Sequence, residues 1–78
     1  MLIHTDLSEA FKRPDQVRIL DLKHQGLTEI PIEIFQLSNL TELRLGYNQI
    51  KVISPKIGQL TNLTRLRLGN NQVSVIPA

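Results

Sequence analysis

The sequence predicts an α/β solenoid fragment: a short parallel β-sheet made of stacked copies of one unit and entered through a short helix. Three observations lead there. Residues 40–50, Leu-Thr-Glu-Leu-Arg-Leu-Gly-Tyr-Asn-Gln-Ile, recur 23 positions earlier at 17–27 and 23 positions later at 63–73. Aliphatic residues hold the same columns in every copy: Val17/Leu40/Leu63, Leu20/Leu43/Leu66, Leu22/Leu45/Leu68, Leu27/Ile50/Val73 and Ile30/Ile53/Ile76. A fixed period with aliphatic columns marks an architecture in which each unit buries its apolar face only against its neighbours. Finally, in Leu-x-x-Leu-x-Leu the last two leucines are two apart, so they share one face of a strand, and stacked copies pair as a parallel sheet.

Length and composition narrow the classes further. A chain of 78 residues holds one domain. Below roughly 70–80 residues a single core supplies only about 3–5 kcal/mol. With no cysteine, neither disulfides nor thiolate metal sites can staple it, and a reducing compartment fits. Two Phe, one Tyr and no Trp leave a core of Leu, Ile and Val. No apolar run reaches the ~18 residues that spanning a membrane requires, so no membrane insertion is expected. The opening Met-Leu-Ile-His-Thr-Asp lacks the basic start and long apolar run of a secretory signal. A cytoplasmic setting is expected for a chain from which no signal has been removed.

In chain order, residues 1–16 read as an N-terminal cap, 17–39 as the first unit, 40–62 as the second and 63–78 as a truncated third. Residues 1–5 are expected to be loosely held. Asp6 is a helix N-cap, and Glu9 three residues on suggests a capping box. Leu7, Ala10 and Phe11 form an apolar stripe, Lys12 and Arg13 suit the negative end of the helix dipole, and Pro14 ends the helix. So short a helix must pack on something, and the open edge of the first unit is the nearest candidate. In each unit the chain turns away after the strand, crosses through Ile30-Pro31 or Ile76-Pro77, and returns along the back. Asn48 and Asn71 sit in the turn after the strand among apolar neighbours. A buried amide there can bridge adjacent turns as a structural ladder, and Gln25 with Gly26 loosens that ladder in the first unit.

The pattern Leu-x-x-Leu-x-Leu-x-x-Asn-x-Ile/Val-x-x-Ile-Pro-x-x-Ile-x-x-Leu resembles the leucine-rich repeat family in its 23-residue form, over residues 17–78. Residues 6–17, with Glu-Ala-Phe-Lys-Arg-Pro-Asp-Gln-Val, look like the short helical N-terminal cap of certain bacterial members. The resemblance implies a right-handed superhelix fragment whose strands line a concave side, the usual ligand surface. Two departures stand out. Pro55 lies one place later than Pro31 and Pro77, and no C-terminal cap is recognisable.

That architecture turns outward Arg18, Ile19, Asp21, Lys23 and His24, then Thr41, Glu42, Arg44, Gly46 and Tyr47, then Thr64, Arg65, Arg67, Gly69 and Asn70. Five of these side chains are basic and two acidic, so positive charge gathers where a partner would bind. Parallel pairing sets Asp21 beside Arg44 and Glu42 beside Arg65, which explains part of the pattern as cross-strand ion pairing. The rest is a mildly basic recognition face for a protein partner, with Arg18, Asp21, Glu42, Arg44, Tyr47, Arg65 and Arg67 as its candidates, centred on Arg44, Tyr47, Arg65 and Arg67. An exposed tyrosine beside arginines is interface chemistry.

Other functions find less support. The arginines lack interleaved aromatics, which argues against nucleic acid. His4 and His24 have no partner at ligand spacing, so no metal and no cofactor is expected. No nucleophile triad, phosphate-cradling glycine loop or close acid pair points to an enzyme. Asn39-Leu40-Thr41 and Asn62-Leu63-Thr64 fit the N-glycosylation pattern, but the repeat itself generates them. The third unit lacks the returning segment, so Leu66, Leu68, Val73 and Ile76 are expected to show apolar surface beside an unpaired strand. That edge suits either the N-terminal piece of a longer array, as in a receptor or effector, or a homodimer through the C-terminal end.

Overall fold

Four parallel strands form one sheet in chain order: β1 (Ile3–His4), β2 (Ile19–Asp21), β3 (Glu42–Arg44) and β4 (Arg65–Arg67). The structure is a computed structural model that describes residues 2–74; Ile76 and the Ile76-Pro77 crossing lie outside the described residues. Leu20 pairs with Leu43 and Leu43 with Leu66, so the register equals the sequence period. Backbone bonds repeat with it: the Leu22 N–H donates to the Arg44 carbonyl and the Leu45 N–H to that of Arg67, each at 2.8 Å. The inward side chains of β2 and β3, Leu20 and Leu43, are wholly buried, as are Leu40, Leu45 and Ile50. With Val17, Leu22, Ile34 and Leu37 also buried, the core is shared between the first and second units.

The start of the chain differs from the expectation of a loose segment. Ile3 and His4 pair with Ile19 and Leu20 as a fourth strand, which satisfies the sheet edge that the first unit would otherwise leave open. The helix α1 (Leu7–Ala10) lies beside it. Asp6 caps α1, accepting from both the Ser8 N–H and the Ser8 hydroxyl at 2.9 Å. Glu9 does not close a capping box: its carboxylate pairs with Lys12 at 3.0 Å instead. Lys12 and Arg13 fall beyond the helix, and Pro14 opens a 3-10 turn (Pro14–Gln16) rather than simply ending α1. Ala10 and Val17 are fully buried on either side of that turn and fix the cap to the first unit.

Short 3-10 segments, Ile32–Gln36 and Pro55–Gln59, return the chain along the back. The shifted proline of the second unit has a local cause. Ser54 stands where Pro31 does one period earlier, and its hydroxyl accepts from the Lys56 N–H at 3.2 Å. Serine thus caps the segment while Pro55 takes its first position, where no N–H is needed. Asn39 and Asn62 donate to the carbonyls of Asp15 (2.7 Å) and Ser38 (2.9 Å), tying consecutive units together.

Asn48 is the one buried polar residue among the described residues. Its Oδ1 accepts from the Gln25 and Leu27 N–H groups, both at 3.0 Å, and its Nδ2 donates to the carbonyls of Leu22 (3.0 Å) and Leu45 (2.9 Å), with that of Gly46 at 3.3 Å. Asn71 repeats the arrangement one layer on. It accepts from Ile50 (3.0 Å) and donates to Leu45 (2.7 Å) and Leu68 (3.1 Å). Gln25 is exposed and points elsewhere: its amide donates to the Thr5 carbonyl at 3.3 Å, holding the end of β1. Gly26 beside it has φ +67°, a backbone conformation that a glycine adopts without strain.

At the other end burial falls. Leu63, Leu66, Leu68 and Val73 are only partly buried, although their counterparts Leu40, Leu43, Leu45 and Ile50 show no exposure. We expect Asn48→Ala to lower unfolding stability by about 1–3 kcal/mol, because it strands buried backbone groups in two units. Asn71→Ala, at a half-buried site, should cost less. Urea denaturation followed by circular dichroism measures both, and equal midpoints for Asn48→Ala and the native chain would contradict the role given to the amide.

Candidate interaction face

Strand alternation points Ile19, Asp21, Glu42, Arg44, Arg65 and Arg67 to the side of the sheet opposite the leucines. Glu42 is at the centre. Its side chain is 12% exposed, and it accepts from the Arg44 Nε of its own strand and lies 3.3 Å from the Arg67 Nε and 4.0 Å from Arg65. Asp21, one strand back, lies 3.7 Å from Arg44 and 3.6 Å from Lys23. The register puts Arg44 directly beside Arg67. Glu42 touches both guanidinium groups and so offsets part of the repulsion between these neighbouring cations.

This arrangement sets protonation. The hydrogen bond from Arg44 holds the Glu42 carboxyl below its usual value, reinforced by the charges of Arg44, Arg67 and Arg65 and opposed by desolvation. The same bond raises Arg44. Asp6, remote from the face, is also lowered by its two bonds from Ser8.

Two aromatic rings complete the face. His24 and Tyr47 stack with centroids 4.5 Å apart and planes 11° from parallel. They stand one period apart, and both lie in the left-handed region, at φ 58° and 59°, as does Asn70 in the next unit at 59°. Tyr47 is 54% exposed, so the stack faces solvent. A repeated aromatic column is the signal in the sequence that would have exposed this pair. Gly46 departs from its expected outward place: it is buried, and a side chain there would meet the Gly69 carbonyl at 3.4 Å. Arg18 also stands apart. It precedes β2, joins no ion pair among the described residues, and lines a cleft at the N-terminal end.

Stacked parallel strands, aliphatic layers and bridging asparagines in the turns of the second and third units define a solenoid of leucine-rich units. The chain belongs to the leucine-rich repeat family, whose model matches residues 15–73. Among curated proteins it is similar to Tsukushi of Mus musculus, 36% identical over 53 residues, which is 68% of this chain and 15% of that protein. It is also similar to osteomodulin of Bos taurus, 42% identical over 41 residues, covering 53% of this chain and 10% of that protein. Among solved structures, a leucine-rich-repeat protein of Leptospira interrogans superposes with a TM-score of 0.67 at 32% identity, covering 99% of this chain and 26% of that one. The chain thus spans about a quarter or less of the length of each of these relatives. Repeat domains of this family generally serve as protein-interaction modules and are typically non-enzymatic. Among the described residues no helix is long and apolar enough to cross a membrane.

Because the Glu42 carboxyl is lowered on folding, its contribution to stability is present above the unfolded carboxylate value of about 4.3 and is lost as pH falls through the folded value. The denaturation midpoint should therefore drop on acidification below about pH 4.5. Glu42→Gln should be less stable at neutral pH and lose less on acidification, with Asp6 supplying part of the remaining slope. A variant whose acid sensitivity equals that of the native chain would contradict the placement of Glu42 among three arginines.

Proposed function

We propose that the strand face is a protein-docking surface, with Tyr47 on His24 as its apolar contact and Arg44, Arg65 and Arg67 as its polar surround. One observation carries this reading: an exposed, pre-stacked aromatic pair has no part in the core and follows strands that turn arginines outward. Rigid aromatics offer contact area at little entropic cost, and arginine is enriched in interface centres. Asp21 and Glu42 belong to the same surface, because they hold the guanidinium groups in fixed directions. Their carboxylates also offset much of the positive charge, so the favoured partner is a protein matched in shape and hydrogen bonding rather than a polyanion such as nucleic acid.

A second reading rests on a separate observation. The partial exposure of Leu66, Leu68 and Val73 beside β4 supports assembly through the C-terminal edge, as a homodimer of this chain. The share of its relatives that the chain matches supports a third, that these units form one stretch of a longer array. Residues 1–16 then act as its N-terminal cap, since β1 and α1 cover the first unit. A cytoplasmic setting fits the lack of cysteine, and so does the use of the Asn39 and Asn62 amides as inter-unit ties; intact mass of the protein from its source should then show no glycan at either.

One set of variants separates face from edge. If the face docks a partner, Tyr47→Ala and Arg67→Glu should each weaken capture of the native chain's partner by on the order of tenfold or more. Their molar mass by size-exclusion chromatography with light scattering should not change. If the edge is the functional surface, Leu68→Glu and Val73→Glu should convert a dimer to a monomer while the face variants remain silent. A monomeric native chain at micromolar concentration rules out the dimer.

A further inference from the structure

The chain has five arginines, and their counter-charges are unequally distributed. Arg44 lies against Asp21 and Glu42, and Arg65 and Arg67 share Glu42. Arg13 and Arg18 are in neither group: among the described residues neither side chain makes an ion pair or a hydrogen bond. Both nevertheless line one cleft of about 460 Å³, together with Leu2, His4, Glu9, Lys12 and Gln16. Among the described residues that line it, the only acid, Glu9, is already engaged by Lys12 at 3.0 Å.

The two guanidinium groups start from fixed backbone. The Arg13 carbonyl accepts from the Gln16 N–H at 3.0 Å, closing the turn between buried Ala10 and Val17. The Arg18 carbonyl accepts from the Thr41 and Glu42 N–H groups at 2.7 and 3.0 Å and from the Thr41 hydroxyl at 3.0 Å. Only the side chains are left to order on binding, and a planar guanidinium loses less freedom per hydrogen bond than an ammonium does. Leu2, 70% exposed, supplies an apolar wall at the same cleft.

We propose that this cleft binds an acidic peptide segment, with two side-chain carboxylates on Arg13 and Arg18 and an aliphatic side chain between them on Leu2. Arginine forks match carboxylates in bidentate geometry. The apolar wall favours a peptide over a bare anion, because only the peptide can remove Leu2 surface from water. The site is separate from the strand face: Arg13 belongs to no strand, and Tyr47, Arg65 and Arg67 take no part.

The test is an amide NMR titration of the full 78-residue chain with a short Glu-Leu-Glu peptide. A Gln-Leu-Gln peptide and inorganic phosphate are run alongside. Saturable shifts are expected at residues 2–4, 13 and 15–18, with binding weakened on the order of tenfold by Arg13→Gln or Arg18→Gln through loss of a charge-assisted pair. Arg67→Glu should change nothing. Leu2→Ser should weaken the acidic peptide while leaving any phosphate shifts as they were. Unchanged signals from the second and third units show that each variant is folded. Shifts centred on residues 65–70, equal binding of the glutamine peptide, phosphate binding as tightly as the peptide, or no saturable shift would each overturn the proposal. The first of these would instead place acidic ligands on the strand face, so failure here and failure of the docking surface give different results.

Discussion

Packing leucine columns in parallel layers carries backbone into the interior at every turn, and each buried N–H and carbonyl there must find a partner. Asn48 meets that need for two units with one side chain. Its donors and acceptors point backwards, to Leu22, Gln25 and Leu27 of the unit before it, and Asn71 does the same for Leu45 and Ile50. Each turn is therefore completed by the unit that follows. The core depends on this relation, because the leucines on either side can close only when the polar groups between them are satisfied. The fully buried side chains accordingly lie in the first and second units, each covered by a following unit, while the third is left half covered.

The outer surface follows a different rule. Positive charge gathers on the strand side in composition, but its distribution after folding is uneven. Glu42 and Asp21 engage Lys23 and the arginines of β3 and β4, so the centre of the face is a network of directed hydrogen bonds more than a field of charge. Guanidinium groups without a carboxylate are found where cap meets first unit, beside Leu2 and Gln16. Two different surface chemistries thus stand at different places on one small solenoid: an aromatic and polar surface in the middle, and a cleft with unpaired guanidinium groups at the beginning.

Much of this was legible in the sequence, because a period of 23 fixes both column and register. The pairing of Leu20, Leu43 and Leu66, and the proximity of Asp21 to Arg44 and of Glu42 to Arg65, follow from adding one period to a residue number. What the period does not encode was hidden. β1 has no counterpart in any unit, and two residues carry too little alternation to mark a strand; it exists because the first unit presents an edge to pair with. Glu42 also reaches Arg44 within its own strand and Arg67 diagonally, since side chains of that length contact more than their direct neighbour. The His24–Tyr47 stack was available as two aromatics one period apart. His24 considered singly, as a metal ligand or a surface residue, conceals it.

The left-handed backbone shared by His24, Tyr47 and Asn70 has a consequence for how this surface can vary. Residues with a Cβ are strained there by about 1–2 kcal/mol, whereas glycine is not. Substitution toward stability would therefore run toward glycine in that column and would erase the rings. A sequence that keeps histidine and tyrosine in two successive units holds its most distinctive surface against the conformational preference of its own backbone.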